Sequence, residues 1–137
     1  MSDSRVRQII YVLVALIAVA GVYWFQRGDD VAHYGNVTAN EAWIITRDIS
    51  DIVILDVRDE AEFSDEHIEG AINIPIGELE ENLDQLDVFD PLLVYSEMAE
   101  TSRAAVSVLE DNGFERIYRL EGGFEAWKEA GYPTVSG

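Results

Sequence analysis

The chain has 137 residues, which is the size of one domain with a single core. Its 27 acidic and 9 basic residues give a net charge of −18, and this charge excludes nucleic acid as a partner because two polyanions repel each other. The chain contains no cysteine, so disulfides, thiol chemistry and cysteine-bound zinc are excluded as well.

The N-terminal quarter of the chain is strongly apolar. Ile9–Phe25 contains no charged residue over 17 positions. Such a run spans about 25 Å as a helix, close to the hydrocarbon thickness of a bilayer. Tyr23 and Trp24 stand where an interfacial aromatic belt would lie. These features predict a transmembrane anchor over residues 9–26.

The charges that flank this run predict its orientation. Arg5 and Arg7 precede it, whereas Arg27 is followed by two aspartates, so the positive-inside rule places residues 1–8 in the cytoplasm. A linker over residues 27–36 would then lead to a domain over residues 37–137. We therefore expect a single-pass membrane protein whose domain is extracytoplasmic, in the periplasm or the extracellular space.

Two other interpretations of the apolar run remain open. Ala18-Val19-Ala20 before Gly21 fits a cleaved secretory signal, although the apolar residues continue past the point where a cleavage region turns polar. A buried core helix is the third interpretation, and the absence of a polar face argues against it.

The net charge lies entirely in the domain, because residues 1–30 carry as many basic as acidic side chains. This charge should hold the domain off an anionic membrane surface. It is either a solvated acidic coat or a surface that attracts a basic partner protein, and composition does not separate the two.

The domain alternates predicted strands and helices. Thr38 and Glu41 have the spacing of a capping box and open a helix. Ile52–Leu55 and Leu92–Tyr95 are short apolar runs typical of strands buried on both faces, and Asp56 ends the first. The other predicted elements are helices at Glu60–Ser64, Ile76–Leu86, Thr101–Asn112 and Phe124–Ala130, strands at Ala71–Ile74 and Arg116–Leu120, and a loop at Ser96–Glu100. The alternation predicts an α/β fold with an open parallel sheet and helices on both faces.

Two long motifs frame this domain, LDVRDEAEFSDEHIEGAINIP at Leu55–Pro75 and RLEGGFEAWKEAGYP at Arg119–Pro133. They resemble the rhodanese signatures D-V-R-x-x-x-E-[FY]-x-x-x-H-I-x-G-A-x-N-I-P and L-x-G-G-x-x-x-W-x-x-A-G-x-P. The resemblance extends over roughly residues 36–137 and implies a rhodanese-like fold. The positions that match the family scaffold include Asp56, Arg58, Glu62, His67, Gly122 and Gly123.

These scaffold residues also have structural explanations. Asp56 can accept backbone N–H groups of the following turn, and Arg58 can pair with Glu62 four residues later. We interpret His67 as a hydrogen-bonding scaffold residue, and one histidine without a cysteine or a carboxylate cluster makes a poor metal site. The Gly-Gly pair allows a positive φ or a close backbone approach.

The resemblance places the chemistry of the family in a loop after the central strand, C-x-x-G-x-R-[ST], whose thiolate carries sulfur from a donor to an acceptor. The corresponding stretch here has Ser96 at the cysteine, Ala99 at the glycine, Thr101 at the arginine and Ser102 at the hydroxyl position. A serine offers neither the sulfur nor the accessible anion that a persulfide requires. Sulfur transfer by the family mechanism is therefore excluded at Ser96.

We name the segment Ser96–Arg103 the active loop. Compared with the family pattern, this segment is acidic. Glu97 and Glu100 flank Met98, so we expect an anion such as thiosulfate to bind poorly. A related phosphatase loop, C-E-x-x-x-x-R, resembles Ser96-Glu97 with Arg103, but Arg103 lies seven positions after Ser96 instead of six. An engineered Cys→Ser change is a further alternative, and it would explain Ser96 alone.

We therefore expect a membrane-anchored, catalytically inactive rhodanese-like domain that needs no cofactor and acts as a binding or scaffolding module. Its expected partners are the membrane, through the N-terminal helix, and a protein that contacts the acidic active loop. One alternative is a sulfur carrier related to the sulfurtransferases that works with the thiol of a partner. Another is a simple tether on the outer membrane surface.

Overall fold

The computed structural model describes residues 2–27 and 34–137, which belong to two compact units, Met1–His33 and Tyr34–Gly137. The first unit contains helix α1, Ser2–Arg27. Within the described residues, no helix combines the length and the apolar character needed to span a bilayer. The anchor over residues 9–26 stays a prediction, and most of the expected linker lies outside the described residues.

The second unit is built on a parallel sheet of five strands in the order β1-β6-β5-β2-β4, accompanied by an antiparallel pair of short strands, β3 and β7. The strands are β1 Gly35–Val37, β2 Val53–Asp56, β3 His67–Ile68, β4 Ile72–Asn73, β5 Leu92–Tyr95, β6 Ile117–Leu120 and β7 Thr134–Val135. The helices are α2 Ala39–Asp48, α3 Glu60–Asp65, α4 Ile76–Leu79, α5 Ala99–Asp111 and α6 Gly123–Glu129, and a 3₁₀-helix, Glu80–Gln85, follows α4.

The central strands are buried on both faces, as their continuous apolar runs predict. Every residue of β5 and β6 is buried. Leu93 and Tyr95 belong to a core layer that includes residues of α2 and α6, whereas Leu92 and Val94 belong to a second layer with residues of α4 and α5. Alternate residues of a strand point to opposite faces, so helices cover both faces of the parallel sheet, as predicted.

Two capping boxes fix where helices leave the sheet. The Thr38 hydroxyl accepts the Glu41 N–H at 3.3 Å, and the Glu41 carboxylate accepts the Thr38 N–H at 2.8 Å, which confirms the predicted box of α2. Asp59 and Glu62 form the same reciprocal pair at the start of α3. Each box satisfies backbone N–H groups that the first helical turn leaves free.

The predicted helix over Ile76–Leu86 is wrong as a single element. The α-helix ends at Leu79, and the 3₁₀-helix that follows contains a non-helical residue, Asn82, with φ −119° and ψ 21°. The Asn82 amide donates to the carbonyl of Glu78 at 2.8 Å, so its side chain competes with the backbone pattern of a continuing helix.

Other differences concern short elements and one helix start. Helix α5 begins at Ala99 and not at Thr101. The sequence does not reveal this start, because the N-cap, Met98, is not a residue type that caps helices. Most of β1 falls within the predicted linker, and the sequence predicts neither β3 nor β7. These strands have two or three residues each, too few to show a period.

Candidate functional site

The site lies at the carboxyl ends of the parallel strands β2 and β5, the edge where open α/β sheets bind ligands. Asp56 is the last residue of β2 and pairs in register with Tyr95, the last residue of β5. The active loop follows Tyr95 directly, and α6 begins beside it. The topology therefore brings both sequence motifs to the active loop.

A buried ion pair forms the base of the site. The Arg58 guanidinium donates to the Asp56 carboxylate from Nε at 3.1 Å and from Nη2 at 2.7 Å, and neither side chain is more than 5% exposed. Asp56 Oδ1 also accepts the Arg58 backbone N–H at 2.9 Å, which confirms the predicted role of Asp56 at the end of its strand. Burial lowers the pKa of Arg58, but the hydrogen bonds and charge of Asp56 outweigh it and hold that pKa above its usual value.

The predicted pairing of Arg58 with Glu62 is wrong. Glu62 is held in the capping box of α3, where its carboxylate accepts the Asp59 N–H. Arg58 lies before that helix and turns back to its own strand, so the spacing of four residues does not place the two side chains on one helical face. The guanidinium instead lies over the Phe124 ring, with 4.2 Å between Cζ and the ring centroid.

Tyr95 completes this buried network. Its hydroxyl accepts the Ile68 N–H at 3.1 Å and is hydrogen-bonded to Asp56. Burial raises the pKa of the Tyr95 phenol well above its usual range, and the bond to the Asp56 carboxylate raises it further. From the sequence, Tyr95 is predicted only to end a strand. A tyrosine that closes an apolar run just before the active loop is the signal that could have identified it.

The backbone of Ser96 is held by α6. The Ser96 carbonyl accepts the Phe124 N–H at 3.0 Å, and the Ser96 residue is only 4% exposed. Gly123 has φ +62°, and a Cβ atom at that position would collide with the Ser96 carbonyl oxygen. Gly122 has φ +77°, which also favours glycine. Both explanations proposed for the Gly-Gly pair, positive φ and close approach, are therefore confirmed.

The active loop runs into the first turn of α5, where a buried arginine supports it. Ser102 is buried, and its hydroxyl donates to the Ala99 carbonyl at 3.0 Å and accepts from Arg119 Nη1 at 3.1 Å. Arg119 Nε donates to Asn36 Oδ1 on β1 at 2.9 Å. In the sequence, Arg119 stands out only as the first residue of the second motif. Its signal was a charged residue inside a strand that is otherwise apolar.

The exposed residues of the active loop include two glutamates and a methionine. Glu97 Oε2 lies 3.8 Å from Arg58 Nη1, and the Glu97 side chain is 44% exposed. Met98 is 61% exposed, and Glu100 is exposed in the first turn of α5. The buried guanidinium therefore faces an intramolecular carboxylate, which is the interaction that an external anion would need to replace.

The remaining predicted residues occupy separate positions. His67 Nδ1 is hydrogen-bonded to the Phe63 carbonyl at 2.8 Å, and its ring stacks on the Phe63 ring with centroids 3.8 Å apart, so its scaffold role stays a prediction with which these contacts agree. Thr101 is half-buried in the first turn of α5. Arg103 is exposed and lines a groove beside β1.

The alternating sheet, the Asp56–Arg58 pair and the close approach of α6 to the active loop define a rhodanese-like α/β domain. The family model for the rhodanese-like domain matches residues 38–130, and the chain belongs to this family of sulfurtransferase folds.

The chain is similar to thiosulfate sulfurtransferase GlpE of Coxiella burnetii, with 38% identity over 101 residues that cover 74% of this chain and 92% of that protein. GlpE of Glaesserella parasuis is 31% identical over 104 residues, covering 76% of this chain and 95% of that protein. Among solved structures, the Alr3790 protein from Anabaena sp. superposes with a TM-score of 0.69 at 33% identity, covering 74% of this chain and 82% of that one.

Proposed function

We propose that this protein is a membrane-tethered, catalytically inactive rhodanese-like domain that binds a protein partner through its active loop. The observation that carries this proposal is the serine at the nucleophile position of the family, in a chain without any cysteine. A hydroxyl cannot hold sulfane sulfur, so the chain by itself lacks the atom on which the family reaction depends.

The chemistry of the active loop supports a protein contact in preference to a small anion. Glu97 and Glu100 add negative charge where an anion would approach, and Glu97 already faces the Arg58 guanidinium. Met98 is a flexible, polarizable and exposed side chain of the kind enriched at protein interfaces. An apolar anchor flanked by two carboxylates fits a partner segment with an apolar side chain between basic residues.

A sulfurtransferase assay tests the absence of catalysis. Purified full-length protein is incubated with thiosulfate and cyanide, and thiocyanate is measured beside the Ser96→Ala variant. We expect the same background rate from both proteins. Turnover that disappears in Ser96→Ala would overturn the proposal, because it would show that the serine takes part in a reaction.

A pull-down from membranes tests the partner surface. The intact protein is compared with the variant Glu97→Lys/Glu100→Lys, and the control is Glu80→Lys/Glu81→Lys, which makes the same charge change at exposed positions of the 3₁₀-helix. We expect one protein to be captured by the intact chain and by the control but lost from the active-loop variant. Equal capture by all three would contradict binding at the active loop.

The second candidate function is that of a sulfur carrier related to the sulfurtransferases that borrows the thiol of a partner. It is favoured by the similarity to thiosulfate sulfurtransferases over more than nine-tenths of their length. In that case sulfane sulfur should accumulate on a partner thiol only when both proteins are present with thiosulfate. Cyanolysis of the separated proteins locates the sulfur, and a partner that loads equally well without this chain would exclude the carrier function.

The membrane tether has its own test. The expected orientation places an N-terminal tag in the cytoplasm and the domain outside it. Protease is added to cells whose outer layers have been removed but whose cytoplasmic membrane is intact. It should digest the domain and leave the N-terminal tag protected. Release of the protein from membranes by alkaline carbonate would contradict a transmembrane anchor.

A further inference from the structure

A groove that shares Arg103 with the active loop lies between α5 and the sheet edge formed by β1 and β6. Its volume is about 480 Å³. This volume is within the usual range for small-ligand pockets. Among its lining residues are Arg103, Val106 and Glu110 of α5 and Arg119, Ile117 and Glu115 of the β6 segment.

The charges on the two walls of this groove match in space, although they occur in opposite order along the chain. Along α5, Arg103, Val106 and Glu110 are spaced three and four residues apart and share one helical face. Glu115, Ile117 and Arg119 alternate along the β6 segment and share one side of the extended chain. Because β5 and β6 are parallel, α5 must run back along the sheet, antiparallel to β6. The arginines therefore share one end of the groove and the glutamates share the other.

The charges at both ends are available to a ligand. In the described part of the chain, Arg103, Arg119, Glu110 and Glu115 take part in no ion pair within 4.0 Å.

Arg119 is only 6% exposed, and its Nε and Nη1 bond neutral groups, Asn36 and Ser102. Among the described residues, its Nη2 has no hydrogen-bond partner. No buried side-chain nitrogen of the described residues lacks a partner, so Nη2 reaches the accessible space of the groove, where an anion can accept a hydrogen bond from it.

We propose that this groove binds a short zwitterionic peptide. The carboxylate of the peptide pairs with Arg119 and Arg103, and its ammonium group pairs with Glu110 and Glu115. Seven helical residues separate Arg103 from Glu110, a rise of roughly 10 Å. An extended tripeptide places its terminal charges at a similar separation. Val106 and Ile117 lie between the charged ends, so the middle residue should be apolar. This site shares Arg103 with the active loop, but its binding of a peptide does not rest on the function proposed there.

Calorimetric titration of the full-length protein in non-ionic detergent tests this site. The probe is glycyl-valyl-glycine with free termini, and the matched probes are its C-terminal amide and its N-acetyl form. We expect saturable binding of the free peptide and about tenfold weaker binding of each capped form, because each loses one charge-assisted contact.

Variants locate the binding site. Arg103→Gln and Glu110→Gln, both at exposed positions, should each weaken the free peptide about three- to fivefold. Arg47→Gln, an exposed arginine on α2, is the control and should leave the affinity unchanged. Arg119→Gln should weaken binding most. If that variant does not fold, the two exposed variants still decide the result.

Three results would overturn the proposal. The first is no saturable binding of the free peptide up to about 10 mM. The second is equal affinity for the free and capped peptides, which would remove the requirement for both charges. The third is an Arg103→Gln or Glu110→Gln variant that binds as tightly as the Arg47→Gln control.

Discussion

Two neighbouring regions at the carboxyl edge of the sheet differ in what they retain from the family. The network of Asp56, Arg58 and Tyr95 is buried and hydrogen-bonded, whereas the active loop has Ser96 after its strand and exposes Glu97 and Met98. The first region stabilises the fold through buried hydrogen bonds. The second region corresponds in position to the catalytic loop of the rhodanese family. The difference teaches that a buried network can hold the fold while the residues of an adjacent exposed loop vary independently of it.

The largest expected effect is on the buried network. Replacing Asp56 by alanine leaves the Arg58 guanidinium buried without its carboxylate, so we expect a loss of about 3–5 kcal/mol in the free energy of unfolding. Urea titration followed by circular dichroism measures it. The control is Glu125→Ala, which removes the exposed pair with Lys128 and should cost less than about 1 kcal/mol. Equal losses for the two variants would contradict a structural role for the network.

The next effect concerns the contact between the two regions. Gly123→Ala forces a side chain into a left-handed backbone conformation and against the Ser96 carbonyl, so we expect a loss of about 2 kcal/mol or more in the free energy of unfolding. Gly77→Ala is the matched control, because Gly77 has ordinary φ and no atom near its added Cβ. A Gly123→Ala variant as stable as Gly77→Ala would show that α6 does not fix the active loop.

A smaller effect is expected for Tyr95→Phe. The change removes the acceptor of the Ile68 N–H and the bond to Asp56, at a cost of about 1–2 kcal/mol.

The same residue predicts a pH dependence. The folded pKa of Tyr95 is raised, so its stabilisation is fully present below the unfolded pKa of about 10 and is lost as pH rises above it. Unfolding measured between about pH 9 and 11 should therefore show a shallower decline in Tyr95→Phe than in the unchanged protein. Burial also raises the pKa of Tyr118, so the stability of Tyr95→Phe should still fall somewhat with rising pH. Identical slopes would contradict the buried phenol.

The smallest effect is expected in the active loop. Glu97→Gln removes a half-exposed carboxylate 3.8 Å from Arg58, so we expect less than about 0.5 kcal/mol of change in the free energy of unfolding. Because the variant frees the guanidinium for an external anion, thiosulfate should stabilise it against thermal unfolding more than it stabilises the unchanged protein. A large loss of stability in Glu97→Gln would show that Glu97 stabilises the fold as the buried network does. It would contradict the difference drawn between the two regions.

Much of the fold and part of the site could be predicted. The apolar runs of β2 and β5 predicted buried strands, and Thr38 with Glu41 predicted a helix start to the residue. The pairing of Arg58 could not be predicted, because spacing along the chain does not reveal that the side chain turns back beneath the active loop. Arg119 was missed for the same reason, since its partners Asn36 and Ser102 come from distant parts of the chain.

The sequence by itself determined the family, the alternation of the elements and the serine where a cysteine would carry sulfur, because these depend on residue type and on local spacing. Only the tertiary structure decided that Glu97 faces Arg58, that α6 requires Gly123 to approach Ser96, and that arginines gather at one end of the groove and glutamates at the other. These features depend on parallel strands bringing distant segments to a common edge, and that juxtaposition is not encoded in any single stretch of the chain.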